Sequence, residues 1–374
     1  MRRAARTHFS VLSSAAITLL LCLGSSASAK TAIPAAAPGS ATPAPQTQAT
    51  RIILLGTEGG PTAEKFRSEP ANLLVVDGTP YLIDAGAGVS RRLPWAGLDP
   101  VQIQTIFITH HHVDHNAGLG SLMSLAWFNR SWGNLPGPTV QIYGPPGTIF
   151  LVHSALQYLG VSERIFLAGV PEMKPAAPMF AAHDIDQAGA VFQDKLIRVT
   201  AAENTHYRFP SYGPNGIKDK GIKDKSYSYR FDTPEGSVVY TGDTGPSAAV
   251  TALARNADVL VSEVCADEIC GNLSDASKID EGAQPLPKKM AEAEQYHFRN
   301  EHLTPEDVGR MAEAAHVKMV ILTHIVSSVL ADDGASYVAE LTAGVKKYYS
   351  GPVIVGRDLF EYDLVGTDKS RPNQ

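Results

Sequence analysis

Residues 108–120 read ITHHHVDHNAGLG, so four of the chain's 12 histidines and an aspartate fall within six consecutive positions. Residues 101–108 before them alternate and then run apolar, which predicts a buried strand. A strand ending in imidazoles delivers them to one edge of a sheet, where open α/β architectures place their sites. His110 and His112 lie two apart, so on an extended segment both point the same way, toward one ion. Asp114 and His115 then turn toward a second position, and one loop can feed two metals. His111 sits between two same-side residues and is read as serving the scaffold. Imidazole and carboxylate together suit zinc; manganese and iron accept the same donors.

Chemistry-bearing residues follow apolar runs elsewhere too. Asp84 follows YLI, His206 follows IRVTAAENT, Asp243 follows VVYTG and His324 follows VILT. His183 also follows an apolar stretch and is the alternative to His206. Short strands are expected at 51–55, 72–76, 81–83, 140–143, 196–201, 226–231, 238–240, 317–322 and 353–355, with Asp77-Gly78 turning a hairpin. Helical spacing covers 118–128, 149–159, 247–254, 305–315 (Thr304 as its cap) and 335–348. Strands followed by strands alternating with helices, in each half, predict a layered α/β fold with helices outside two sheets. Residues 160–194, with three prolines, read as an insertion wrapping the surface, and 273–300 as a polar, helix-prone lid. Trp127, Phe128, Trp132, Tyr207 and Phe209 are candidate pocket aromatics.

The first 29 residues carry Arg2, Arg3 and Arg6, then an apolar run too short for a comfortable membrane span, then Ala27-Ser28-Ala29. This is the pattern of a secretory signal peptide. Residues 30–50, rich in Ala, Pro, Thr and Ser, read as a flexible linker, and 51–368 as one elaborated domain. Cleavage after Ala29 removes three arginines from 32 Lys+Arg against 38 Asp+Glu, taking the net charge from −6 to −9. That balance argues against a nucleic-acid partner, which needs a basic face. No membrane association is expected after cleavage, and the location is periplasmic or secreted. Cys265 and Cys270 can close a short disulfide in an oxidising compartment.

The ordered motifs LLGTEGGP, YLIDAGAG, THHHVDHNAGL, NTHYRF, YTGDTGP, LVSEV, EHLTPEDVG, LTHI and GRDLFEYDL resemble the metallo-β-lactamase superfamily, in its ribonuclease Z and arylsulfatase-like branch. The match spans residues 51–364 apart from the two insertions. The resemblance implies a metallo-β-lactamase-like αββα sandwich holding two divalent metal ions, most readily Zn2+, at one edge. His110, His112 and His206 would hold the first, Asp114, His115 and His324 the second, and Asp243 would bridge them. Asp84 would orient the histidine loop from behind. Glu263 and His302 match a pair that assists proton transfer, and with Asp114 they form the catalytic set. Here SEVC stands where the family pattern is closer to HEAT, and HLT where it is HST. A carboxylate beside His302 is expected to make it a better cation at neutral pH.

The implied activity is hydrolysis of small phosphate or sulfate esters by a metal-bound hydroxide. A lactonase or carboxylic-ester hydrolase with the same metals is the first alternative; a metal-dependent binding protein without turnover is the second. Ribonuclease Z enzymes carry a basic RNA-grasping arm between the third-motif histidine and the bridging aspartate, whereas only 36 residues separate His206 from Asp243. The tandem repeat GIKDKGIKDK (216–225) in that span reads as a solvated hairpin. A small-molecule partner is therefore expected, and a homodimer is compatible with it.

Overall fold

A computed structural model describes residues 49–62, 64–207, 224–270, 288–327 and 335–364. The proposed signal segment, residues 30–48 of the linker, nearly all of the lysine repeat, Phe209, residues 271–287 and residues 365–368 lie outside them. The described residues form one compact unit.

The first sheet is built from β1 (Arg51–Gly56), β2 (Ala71–Val76), β3 (Thr79–Ile83), β4 (Thr105–Phe107), β5 (Val140–Gly144), β6 (Phe180–Asp184) and β14 (Phe360–Asp363), in the order β14-β1-β2-β3-β4-β5-β6. The second is built from β7 (Gly189–Gln193), β8 (Arg198–Glu203), β9 (Tyr227–Thr233), β10 (Gly236–Tyr240), β11 (Val259–Cys265), β12 (Val320–Val326) and β13 (Val353–Val355), in the order β13-β12-β11-β10-β9-β8-β7. Each has an antiparallel part and a parallel part. β3, β4, β5 and β6 run parallel in one sheet, and β10, β11, β12 and β13 in the other.

The apolar runs alternate between two cores. In β1, Ile52 and Leu54 join Leu74, Phe107, Tyr229, Phe231 and Ile321 between the sheets. Ile53 and Leu55 point the other way, against α1 (Val89–Trp95), α3 (Leu119–Trp132) and α4 (Thr148–Gly169). The far face of the second sheet packs on α5 (Ala248–Leu253), α8 (Pro305–Ala315) and α9 (Ala335–Lys346). Strands covered on both faces read as continuous apolar segments because neither face meets water. The outcome is the expected αββα sandwich.

Local signals hold where chain chemistry is decisive. Asp77 and Gly78 both take positive φ (46° and 77°) and turn the β2–β3 hairpin. Thr304 caps α8 in a reciprocal capping box with Asp307. Two expectations are corrected. The strand expected over 101–108 shrinks to β4, because Asp99 caps a 3-10 turn at Pro100–Gln102. Residues 160–194 do not wrap the surface: α4 continues through Gly160 to Gly169, and β6 and β7 extend both sheets.

Candidate metal centre

The parallel strands of both sheets end at one edge, and their exits carry the polar residues. His110 lies three residues beyond β4, and His112 is the extended N-cap of the short α2 (Val113–Asn116), which carries Asp114 and His115. Asp84 leaves β3 with φ 60°, and His324 interrupts β12 with φ 41°. Beside it the β11–β12 register slips between Ser262 and Val264. Left-handed backbone at non-glycine residues costs roughly 1–3 kcal/mol each and persists where the surroundings fix it. Here it turns two functional side chains out of their strands. Gly242 (φ 55°) brings Asp243 in closely; a Cβ there would lie 2.9 Å from Thr109 Cβ.

Four overlapping groups of potential donors result, and two of them coincide with the expected ligand sets. His110, His112 and His206 bring their donor atoms together, as do Asp114, His115, Asp243 and His324. Asp243 stands between them: Oδ2 lies 3.8 Å from His110 Nε2 and 3.7 Å from His206 Nε2, and 3.1 Å from His324 Nε2. Its Oδ1 is 3.3 Å from His115 Nε2. Asp114 Oδ2 sits 3.4 Å from both His115 and His324.

The far nitrogens fix the tautomers. His115 Nδ1 donates to Asp84 Oδ2 at 2.9 Å, and His206 Nδ1 donates to the Glu301 carbonyl at 2.9 Å. Asp84 also accepts from Thr109 N and Oγ1, and Thr109 Oγ1 lies 3.1 Å from His110 Nδ1. Each arrangement leaves Nε2 facing inward. His110 Nε2, His115 Nε2, His324 Nε2 and Asp243 Oδ1 are buried without a hydrogen-bond partner. Buried polar atoms normally have partners. Four orphaned donor atoms converging at one place fit a divalent metal centre.

The electrostatics agree. Burial opposes the ionisation of Asp243, yet His324 and His115 hold its carboxyl well below the usual range. Burial also opposes charge on His324, but Asp243 and Asp114 push it up to about 10. The pocket thus favours cationic occupants. In the first set burial dominates: His110 and His206 are held well below the ordinary imidazole range and His112 down to about 4, so these three stay neutral and able to ligate.

The remaining expectations sort cleanly. His111 turns away, with Nε2 3.2 Å from the Pro145 carbonyl. His183 stacks on Tyr143 and bonds Gln141 at 2.8 Å, away from both sets, so His206 takes the third-motif place. Trp127 is core, and Phe128 stacks on Trp132 and meets Phe166 of α4; of the expected pocket aromatics within the described residues, it is Tyr207 that flanks the site, near His110 and His112. Glu263 Oε2 lies 2.7 Å from His302 Nδ1, and Thr244 N donates to Oε1. The expected cationic His302 is corrected. Burial, with His297 and His324 nearby, pushes it down to about 3, while burial and Asp243 raise Glu263 well above the carboxylate range.

One site residue was not anticipated. α7 (Lys288–Glu301), within the segment read as a lid, sets His297 against His206 and His302. Its signal was the i,i+4 pair in HFRNEH, which joins His297 Nδ1 to Glu301 Oε2 at 2.7 Å.

A family model described as a β-lactamase superfamily domain matches residues 67–325. The chain belongs to the metallo-β-lactamase superfamily. Its relatives place it in the ribonuclease Z-like branch of these hydrolases. Ribonuclease Z of Mycobacterium sp. (strain KMS) is 27% identical over 314 residues, covering 84% of this chain and 95% of the relative. Ribonuclease Z of Thermoplasma acidophilum is 29% identical over 236 residues, covering 58% and 74%. Two solved structures share the superfamily fold. The metallo-β-lactamase fold protein YhfI of Bacillus subtilis superposes with TM-score 0.57 at 19% identity, covering 84% of this chain and all of that one. The short form of human tRNase Z gives TM-score 0.54 at 19% identity, covering 84% and 99%.

Proposed function

We propose that this superfamily member is an exported hydrolase with a two-metal centre that cleaves small phosphate or sulfate esters. The observation carrying this reading is Asp243, whose two oxygens lie within 3.8 Å of donor atoms from both ligand sets. His110, His112 and His206 would hold one ion, and Asp114, His115 and His324 the other. When bound, such ions, of which Zn2+ suits the donors best, lower the pKa of water from 15.7 to roughly 7 and supply a nucleophile at neutral pH.

The chain's own residues do the rest. Asp84 locks His115 and, through Thr109, the loop bearing His110. His302, backed by Glu263 at Nδ1, packs beside His206 and His324 and supplies a proton to the leaving oxygen. Burial of this pair excludes water, which strengthens the hydrogen bond to a developing oxyanion. That pair favours turnover over a purely binding role. Export is supported by the N-terminal pattern and by the Cys265–Cys270 disulfide, which suits an oxidising compartment.

A second reading, cleavage of RNA, is favoured by the relatives' name, Ribonuclease Z. It stands against the net charge of −6 and the short span between His206 and Asp243. A panel of p-nitrophenyl phosphodiesters, sulfates, carboxylic esters, lactones and a precursor tRNA, each with and without chelator, tests both. Chelator-sensitive turnover of the phosphate or sulfate esters is the expected result. Turnover of the tRNA or lactone alone, or of nothing by zinc- and manganese-loaded protein, would overturn it.

A further inference from the structure

Beside the paired centre stand two histidines that belong to neither ligand set. His297 ends α7 and His302 follows it, and their Nε2 atoms lie 3.2 Å apart. Two imidazoles bound to one tetrahedral Zn2+, each at about 2.0–2.1 Å, hold their nitrogens roughly 3.3 Å from one another. The pair is thus already spaced as two ligands of a single ion.

Behind each ring stands a carboxylate. His297 Nδ1 is 2.7 Å from Glu301 Oε2, and His302 Nδ1 is 2.7 Å from Glu263 Oε2. A carboxylate on the far nitrogen is the usual backing of a metal-bound imidazole, because it holds the proton there and leaves the near nitrogen to the ion. Here that arrangement occurs twice, with the two near nitrogens facing each other. His206 brings a third donor atom to this group, all three lying within 4.8 Å of one another. It is already committed to the first ligand set, with Nε2 3.0 Å from His112 Nδ1 and 3.7 Å from Asp243 Oδ2. An ion between His297 and His302 would therefore have two protein ligands, with its other positions open to water. Fewer ligands and the nearby cations of the paired centre make it the weaker site. The His297 side chain is 21% exposed, against 4% for His302, so exchange with solvent runs past His297.

We propose that His297 and His302 form a third divalent-cation site, which takes Zn2+ weakly and reversibly and, while filled, keeps His302 from donating a proton. An ion on Nε2 leaves that nitrogen without a proton to give. The site itself is independent of the reaction; the inhibition rests on the ester-hydrolysis reading above.

The test dialyses zinc-loaded, desalted protein against rising free Zn2+ and counts bound zinc by elemental analysis. The wild type should take up one ion per chain more than His297→Ala does. Glu301→Gln keeps both imidazoles and the backbone carbonyl that holds His206, and serves if the alanine variant folds poorly. It should bind the further ion about 10–100-fold more weakly, the usual loss for a partner behind a ligand. Over the same zinc range, turnover of an alkyl phosphodiester, whose poor leaving group needs the proton, should fall in the wild type and not in His297→Ala. No further ion in the wild type, or one that both variants bind as tightly, would overturn the site. A filled site with undiminished turnover would overturn the inhibition. A wild type that cleaves no ester would remove the ester-hydrolysis reading and the inhibition with it, while the zinc count still decides the site.

Discussion

At the residue scale the centre depends on groups that do not themselves face the ions. Asp84 accepts from Thr109 and His115 while holding φ 60°, a conformation asparagine also tolerates. Asp84→Asn therefore removes the charge without adding backbone strain. It should weaken metal affinity about 10–100-fold, the usual loss for a partner behind a ligand, measured by chelator competition. Unchanged affinity would show that the tautomer is fixed elsewhere. Glu58 offers a pH test. Burial, aided by Glu64, raises its carboxyl from 4.5 to about 7. The folded state then binds the proton more tightly than the unfolded chain, so stability falls as pH rises from 4.5 through 7. In metal-free protein, Glu58→Gln should raise the urea midpoint at pH 8 and confer no gain below pH 4.5; an equal gain at both would contradict the assignment. The convergence of His110 and His112 was legible because their spacing decides direction on an extended segment, whereas Asp114 and His115 are carried in by α2. His206 was preferred to His183 through the resemblance at NTHYRF, since both follow strand-like runs and the sheet each ends in is what distinguishes them.

At the element scale, what sequence could not show was where elements dock. β6 and β7 are only partly buried and carry weak alternation, so their segment reads as a surface excursion. α7 is polar along most of its length, KKMAEAEQYHFRNE, and no periodicity reveals that its C-terminal turn closes over His206. β11 contributes Glu263 and ends at Cys265, whose disulfide to Cys270 ties it to α6 (Asp267–Cys270). Closing so short a loop is worth about 2 kcal/mol in the chain-entropy account. Cys265→Ser with Cys270→Ser should lower unfolding free energy by about that amount in urea titration. A loss near zero would mean the loop is equally ordered without the bond. The C-terminal strand is held by Asp358, which accepts from Thr57 and Ser68 and pairs with Arg92 at 2.7 Å. Asp358→Ala leaves Arg92 largely buried without its carboxylate, with Ser68 Oγ as the remaining partner, and should cost about 3–5 kcal/mol, read by the same titration; a cost below that of a surface pair would place the clamp elsewhere.

At the scale of the molecule, two sheets back to back bring the ends of parallel strands to a common edge, and the residues that pattern places there span from Asp84 to His324. The layered architecture was readable because every strand-like run was short and helix-like runs alternated with them in each half. The charge balance was readable too, and carries a consequence. With 38 acidic against 32 basic residues, fluorescence anisotropy at 50 mM salt should show no tRNA retention above that of a neutral control protein. Steeply salt-dependent tRNA binding would instead favour the ribonuclease reading. The central claim is a pair of ions joined through Asp243, and elemental analysis of the folded, desalted protein tests it most directly. Two tightly held divalent ions per chain are expected, falling to one or fewer in Asp243→Ala; fewer than one per wild-type chain, or an unchanged content in the variant, would contradict the account.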